Sequence, residues 1–271
     1  MTLNRFAAEL AQSFRLPLER PLPWVRAVVP WFVLALAAHF GGRLALPGEG
    51  FVPFLANALA FGAFAVTWQR FVALGEEPGQ PLAWRIGPRH LLWALAYQAL
   101  VGVEAAPLLL LGPALADMAD GTVIGIAVQE AFQLLIGPVF LLLPHIALYR
   151  KGTGGASLQE MTLAGGLSVG FGYVLANLPF LMISLAWADV LPQLGSGPVP
   201  EAAAGVMQFL LSFAGVTVSA AFFAQVWSRL RAEAPRLRPE AAAEPSPPRP
   251  RRTERLQRGK RSGGTSSSKS E

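Results

Sequence analysis

LLWALAYQALVGVEAAPLLLL at residues 91–111 and VIGIAVQEAFQLLIGPVFLLLPHIAL at residues 123–148 decide the fold. About 20 apolar residues in helical conformation cross the roughly 30 Å hydrocarbon core of a bilayer, and both runs reach that length. The turn that joins them, GPALADMADG at residues 112–121, is short and acidic, so the pair reads as an antiparallel transmembrane hairpin. Each run carries one carboxylate, Glu104 and Glu130. At about 1.5 Å of rise per residue the two acids lie roughly 12 Å below the same membrane face, level across the hairpin.

Working outward, the same length criterion places further spans at about 27–46, 51–72, 163–187 and 202–227. The expected fold class is therefore all-α: a polytopic integral membrane bundle of six transmembrane helices occupying 23–231. Composition agrees. The chain is 53% apolar and only 14% charged, whereas a soluble domain carries about 25% charge. Its mean hydropathy is +0.43. It has no cysteine, which excludes disulfides, thiolate metal sites and cysteine nucleophiles. His39, His90 and His145 fall in three separate segments without the i, i+4 pairing of a helical zinc site, so neither a metal nor another cofactor is expected. The pI near 10.2 does not point to nucleic acid, because the basic residues collect at segment ends and in a tail.

Cation placement orients the chain. Arg5, Arg15, Arg20 and Arg26 precede the first span, Arg70, Arg85 and Arg89 lie between the second and third, and Arg150 and Lys151 follow the fourth. Arg43 alone faces them from the other side. Cationic loops stay cytoplasmic, so both termini are expected there. Ala35-Leu36-Ala37 has the form of a signal-peptidase site, but apolar character continues to Leu46 and the first span is expected to stay.

Residues 1–22 repeat Leu3, Phe6, Ala7, Leu10 and Phe14 at helical spacing, with Pro17 ending the pattern. This reads as an interfacial amphipathic helix, or else as a segment packed on the end of the bundle. Residues 232–271 are rich in Pro, Ser, Arg and Glu and are expected to be disordered. Within them Arg249, Arg251, Arg252, Arg255, Arg258, Lys260 and Arg261 either meet anionic lipid or form a solvated tail that reinforces topology. The second, fourth and sixth spans each end on an aromatic followed by arginine, at Trp68, Tyr149 and Trp227. That records three duplicated hairpins, or the general habit of anchoring spans with an aromatic and a cation.

Candidate chemistry is confined to polar residues inside the spans: His39, Arg43, Asn57, Glu104, Gln129, Glu130, Gln133, Asn177 and Gln208. All fall in the outer half of the bilayer on this topology. Charged groups there cost about 2.5–3.5 kcal/mol, so they should face inward, with His39 and Arg43 the nearest partners for the two glutamates. Pro107 and Pro179 free the carbonyls of Val103 and Leu175 beside Glu104 and Asn177. Gly137-Pro138 and Pro144 interrupt the fourth span, and Gly166 and Gly170 have the spacing of a helix-packing motif. No HExxH, GxSxG or Walker motif occurs.

Trp68-Gln69-Arg70-Phe71-Val72-Ala73-Leu74-Gly75-Glu76-Glu77-Pro78, leaving a span, resembles a signature of uncharacterised proteobacterial inner-membrane proteins with about six spans. The resemblance implies a bacterial inner membrane and carries no activity. The leading functional reading is a non-enzymatic scaffold or interaction component in contact with lipid and with another membrane protein. The alternative is a small transporter or channel-like protein built on the polar layer around Glu104 and Glu130, and a third reading is an intramembrane enzyme. A cavity reaching the polar layer would favour transport; a dry, fully paired layer would favour a scaffold.

Overall fold

The computed structural model describes residues 3–45, 51–78, 86–116, 118, 121–149, 157–195 and 197–237. Eight α-helices occur among them: α1 (Leu3–Glu19), α2 (Pro21–Ala45), α3 (Phe51–Leu74), α4 (Pro88–Ala116), α5 (Gly121–Ile136), α6 (Leu142–Leu148), α7 (Leu158–Val190) and α8 (Pro198–Leu237). A 3-10 segment, Gly137–Leu141, joins α5 to α6. No strand is present among the described residues. Six segments are long and apolar enough to cross a bilayer: Pro21–Gly42, Phe51–Leu74, Pro88–Ala116, Val123–Leu148, Leu158–Gln193 and Pro198–Glu233. The chain is thus an all-α, multi-pass membrane protein, and the many exposed leucines, valines and phenylalanines on its helices suit contact with lipid.

The helices pack in chain order, α2 on α3, α3 on α4 and α4 on α5, with α7 against α5 and the 3-10 segment. Helix α8 is the post around which they gather. It is buried almost continuously from Phe213 to Leu230, and its small residues Ala214, Gly215, Ala220, Ala221 and Ala224 let neighbours come close. Phe213 meets Phe32 of α2 and Phe61 and Phe64 of α3; Phe223 meets Phe140 and Tyr173; Trp227 meets His145.

Several boundaries differ from the sequence reading. Helix α4 continues through Pro113 to Ala116, so the acidic turn is shorter than the ten residues expected from Gly112 to Gly121. Helix α7 starts at Leu158, not near 163, because Ser157 and Glu160 close a capping box: Ser157 Oγ accepts from Glu160 N at 3.2 Å, and Ser157 N donates to Glu160 Oε2 at 2.7 Å. Helix α8 runs past 231 to Leu237, into the stretch expected to begin a disordered tail. Arg229 and Glu233 form an i, i+4 pair there, and Glu233 also accepts from Arg5. Residues 238–271, with the expected lipid-contacting cations Arg249 to Arg261, lie outside the described residues.

The N-terminal helix is packed on the bundle. Phe6 is buried against Phe171 and Phe222, Phe14 stacks on Phe180, and Ser13 is wholly buried, accepting from Gln225 Nε2 at 3.3 Å. Glu9 takes Arg229 in two hydrogen bonds of 2.5 and 3.1 Å. Pro17 does not end α1; the break comes at Arg20, whose helical backbone is disfavoured by the ring of Pro21. Helices α1 and α2 then track α8 in reverse, Arg5 beside Glu233, Glu9 beside Arg229, Ser13 beside Gln225, Trp24 on Thr217, Phe32 on Phe213 and His39 on Phe209.

Candidate functional site

A cavity of about 260 Å³ runs between α4, α5, α7 and α8. On α8 its lining extends from Gln208 to Phe223, roughly 22 Å at about 1.5 Å per residue. Glu104, Glu130, Gln133, Asn177 and Gln208 all line it. Asn57 and His39 do not: Asn57 Oδ1 is buried elsewhere without a hydrogen-bond partner, and His39 packs on the rings of Phe40 and Phe209. The His39 ring sits against Phe209 of α8, away from the cavity's lining residues. The side chain of Arg43 lies outside the described residues.

The partners of Glu104 come from α5 and α7. Gln133 Nε2 donates to Glu104 Oε1, and Tyr173 Oη donates to Glu104 Oε2 at 3.2 Å. Gln129 Nε2 donates to the Glu104 backbone carbonyl at 2.8 Å. The side-chain donor thus meets Glu104 O, one residue beyond the Val103 carbonyl that Pro107 deprives of its helical partner. Gln129 and Gln133 reach the same neighbour because i and i+4 share a helix face.

Two glycines bring α7 close enough for the Tyr173 contact. A Cβ on Gly137 would stand 2.2 Å from Gly170 Cα, and one on Gly170 would stand 2.0 Å from Leu134 O. Backbone meets backbone at that crossing. Tyr173 lies one turn beyond Gly170, and Gln133 one turn before Gly137, so the close approach sets both against Glu104. The 3-10 segment that begins at Gly137-Pro138 then turns Phe140 under the Tyr173 ring, with centroids 4.6 Å apart. Gly166, expected to pack with Gly170, instead breaks α7 with φ +47° and faces open space.

The cavity is not confined to one polar layer. At its α3–α4 end Gln69, fully buried, accepts at Oε1 from Trp93 Nε1 at 3.0 Å, and Trp93 stacks on Tyr97. Three side-chain atoms of its lining residues are buried without a hydrogen-bond partner: Gln69 Nε2, Glu130 Oε2 and Gln133 Oε1. No Lys, Arg or His belongs to the described lining. Among the described residues no group of three or more His, Asp or Glu is placed to hold a metal ion.

The sequence reading missed Gln69, Trp93, Tyr97, Tyr173, Ser184, Ser212 and Ser219. A signal was present: Tyr173, Asn177 and Ser184 on α7 recur at steps of four and seven, and Gln208, Ser212, Gly215 and Ser219 on α8 at steps of three and four, one stripe per helix. No protein-family model, curated protein or solved structure matches the chain.

Proposed function

We propose that this protein is a small membrane transporter that carries a cation through the cavity between α4, α5, α7 and α8, exchanging it against protons on Glu104 and Glu130. One observation carries the reading: two carboxyl groups line one cavity within apolar helices, and no cationic side chain among the described lining residues balances them. Like charges at such a site are balanced by protons or by a bound cation. A cation arriving at the carboxylates releases the proton that it replaces, and the returning proton releases the cation. The buried acceptors Glu130 Oε2 and Gln133 Oε1, which no protein donor meets, favour this over a scaffold, whose polar layer would be closed by mutual hydrogen bonds.

The membrane is proposed to be a bacterial inner membrane with both termini cytoplasmic. Support comes from the arginines gathered where α3 and α6 end and α4 begins, Arg70 and Arg89 both donating to the Ala147 carbonyl, and from the resemblance of residues 68–78. Purified protein in liposomes loaded with a pH-sensitive dye tests the reading. With a sodium, potassium or alkylammonium salt supplied on the opposite side as exchange partner, wild type should collapse an imposed proton gradient faster than empty liposomes in the same salt, and Glu104→Gln and Glu130→Gln should elute as folded protein yet lose that flux. A wild-type rate equal to empty liposomes, or full flux in both variants, would overturn it.

A further inference from the structure

We infer that the cargo is a small organic ammonium ion, its charged head on Glu130 and Gln133 and its hydrocarbon part against aromatic rings. The inference rests on the cation-transport reading and narrows it. Size is the first argument. About 260 Å³ falls below the roughly 300–1,000 Å³ of pockets for drug-sized ligands, and far exceeds the roughly 30 Å³ share of one water molecule. A bare ion would leave most of this space unfilled, whereas a small organic molecule fills it.

The second argument is the chemistry of the unpaired acceptors. Gln133 is only 8% exposed, and its amide is committed on one side: Nε2 donates to Glu104, which leaves Oε1 as a buried acceptor with no donor. Glu130 Oε2 is a second such acceptor. Two acceptors call for a ligand that brings N–H groups, and a carboxylate adds the preference for positive charge. Glu104 already takes Tyr173 and Gln133, so the ligand's N–H groups meet Glu130 and Gln133, while Glu104 shares in the proton exchange one side chain away. A hard metal cation would want six to eight oxygen ligands for calcium, or near-octahedral oxygen coordination for magnesium. Among the described residues no three His, Asp or Glu are placed to hold such an ion, and rings share the remaining wall with amides and serines: Trp93 is stacked on Tyr97, and Phe140 packs on Tyr173 and Phe223. Aromatic faces attract an ammonium group and bury its carbon atoms.

Calorimetric titration of the full-length protein in detergent with 2-phenylethylammonium chloride tests the inference. Saturable binding is expected, weakened about tenfold or more by Glu130→Gln and retained by Glu130→Asp, with 2-phenylethanol, the uncharged analogue, giving no heat. Equal binding of 2-phenylethanol would show a merely apolar pocket and overturn the inference. So would potassium or sodium binding with no response to the amine. Proton flux that needs the glutamates, without amine binding, removes the cargo assignment and leaves the transport reading standing. Amine binding without any flux removes the transport reading and leaves the ligand class.

Discussion

Thr217 anchors two indoles at once. Its hydroxyl accepts from Trp24 Nε1 at 3.1 Å and donates to Phe213 O at 2.7 Å, while its carbonyl accepts from Trp68 Nε1 at 3.0 Å. Helices α2, α3 and α8 meet on this residue, which is 2% exposed. Thr217→Val keeps the shape and leaves the Trp24 N–H without its acceptor, so thermal unfolding in detergent should show a loss of about 1–3 kcal/mol. Tyr173→Phe should cost less, about 0.5–1.5 kcal/mol on the same assay, because Glu104 keeps its Gln133 donor. At this scale the sequence was partly legible. Glu104, Glu130, Gln133, Asn177 and Gln208 declared themselves, since polar groups in an apolar run need a reason. Trp68 did not: a tryptophan near the end of a span reads as an interfacial anchor, yet this one is wholly buried, and only the fold reveals that its N–H is spent on α8. Tyr173 was missed because its ring weighs as apolar while its hydroxyl does the hydrogen bonding.

Helix α7 shows how two glycines of one spacing do different things. Gly170→Ala places a methyl against Leu134 O, where backbone has to move, and overpacking of this kind costs about 1–3 kcal/mol. The shift also draws Tyr173 away from Glu104, so the flux or binding attributed to the cavity should fall with stability. Gly166→Ala meets no atom, but alanine at φ +47° is strained by about 1–3 kcal/mol. It should lower the melting temperature, or straighten α7, without any steric clash in the bundle. Comparing the two variants by melting temperature and amine binding separates contact from conformation. The pair was visible in the sequence as a spacing, whereas the division of labour was not, because spacing says nothing of φ. The break after α5 was legible from Gly137-Pro138, and the start of α7 could have been read from Ser157 and Glu160.

The reverse alignment of the first two helices on the last ties the two ends of the bundle together. Arg229→Glu should destabilise the protein by setting two carboxylates together at Glu9, and adding Glu9→Arg should restore part of the loss. A coupling of about 0.5–3 kcal/mol in the double-mutant cycle is expected, read by thermal denaturation at low salt. Six apolar helices were legible from length alone. The central place of α8 was not, because a helix apolar on every side looks the same whether lipid or protein surrounds it. The run of small residues from Ala214 to Ala224 was the one available hint. The alignment also has a consequence in time. A ribosome adding about 5–20 residues per second delivers the partners of α1 and α2 roughly 10–40 s after those helices themselves. Until then the indole of Trp24 and the carboxylate of Glu9 wait for groups not yet synthesised. The newborn chain keeps its earliest helices uncommitted until nearly its last segment arrives, so a translation product that stops short of Pro198 carries an open seam for membrane proteases to find.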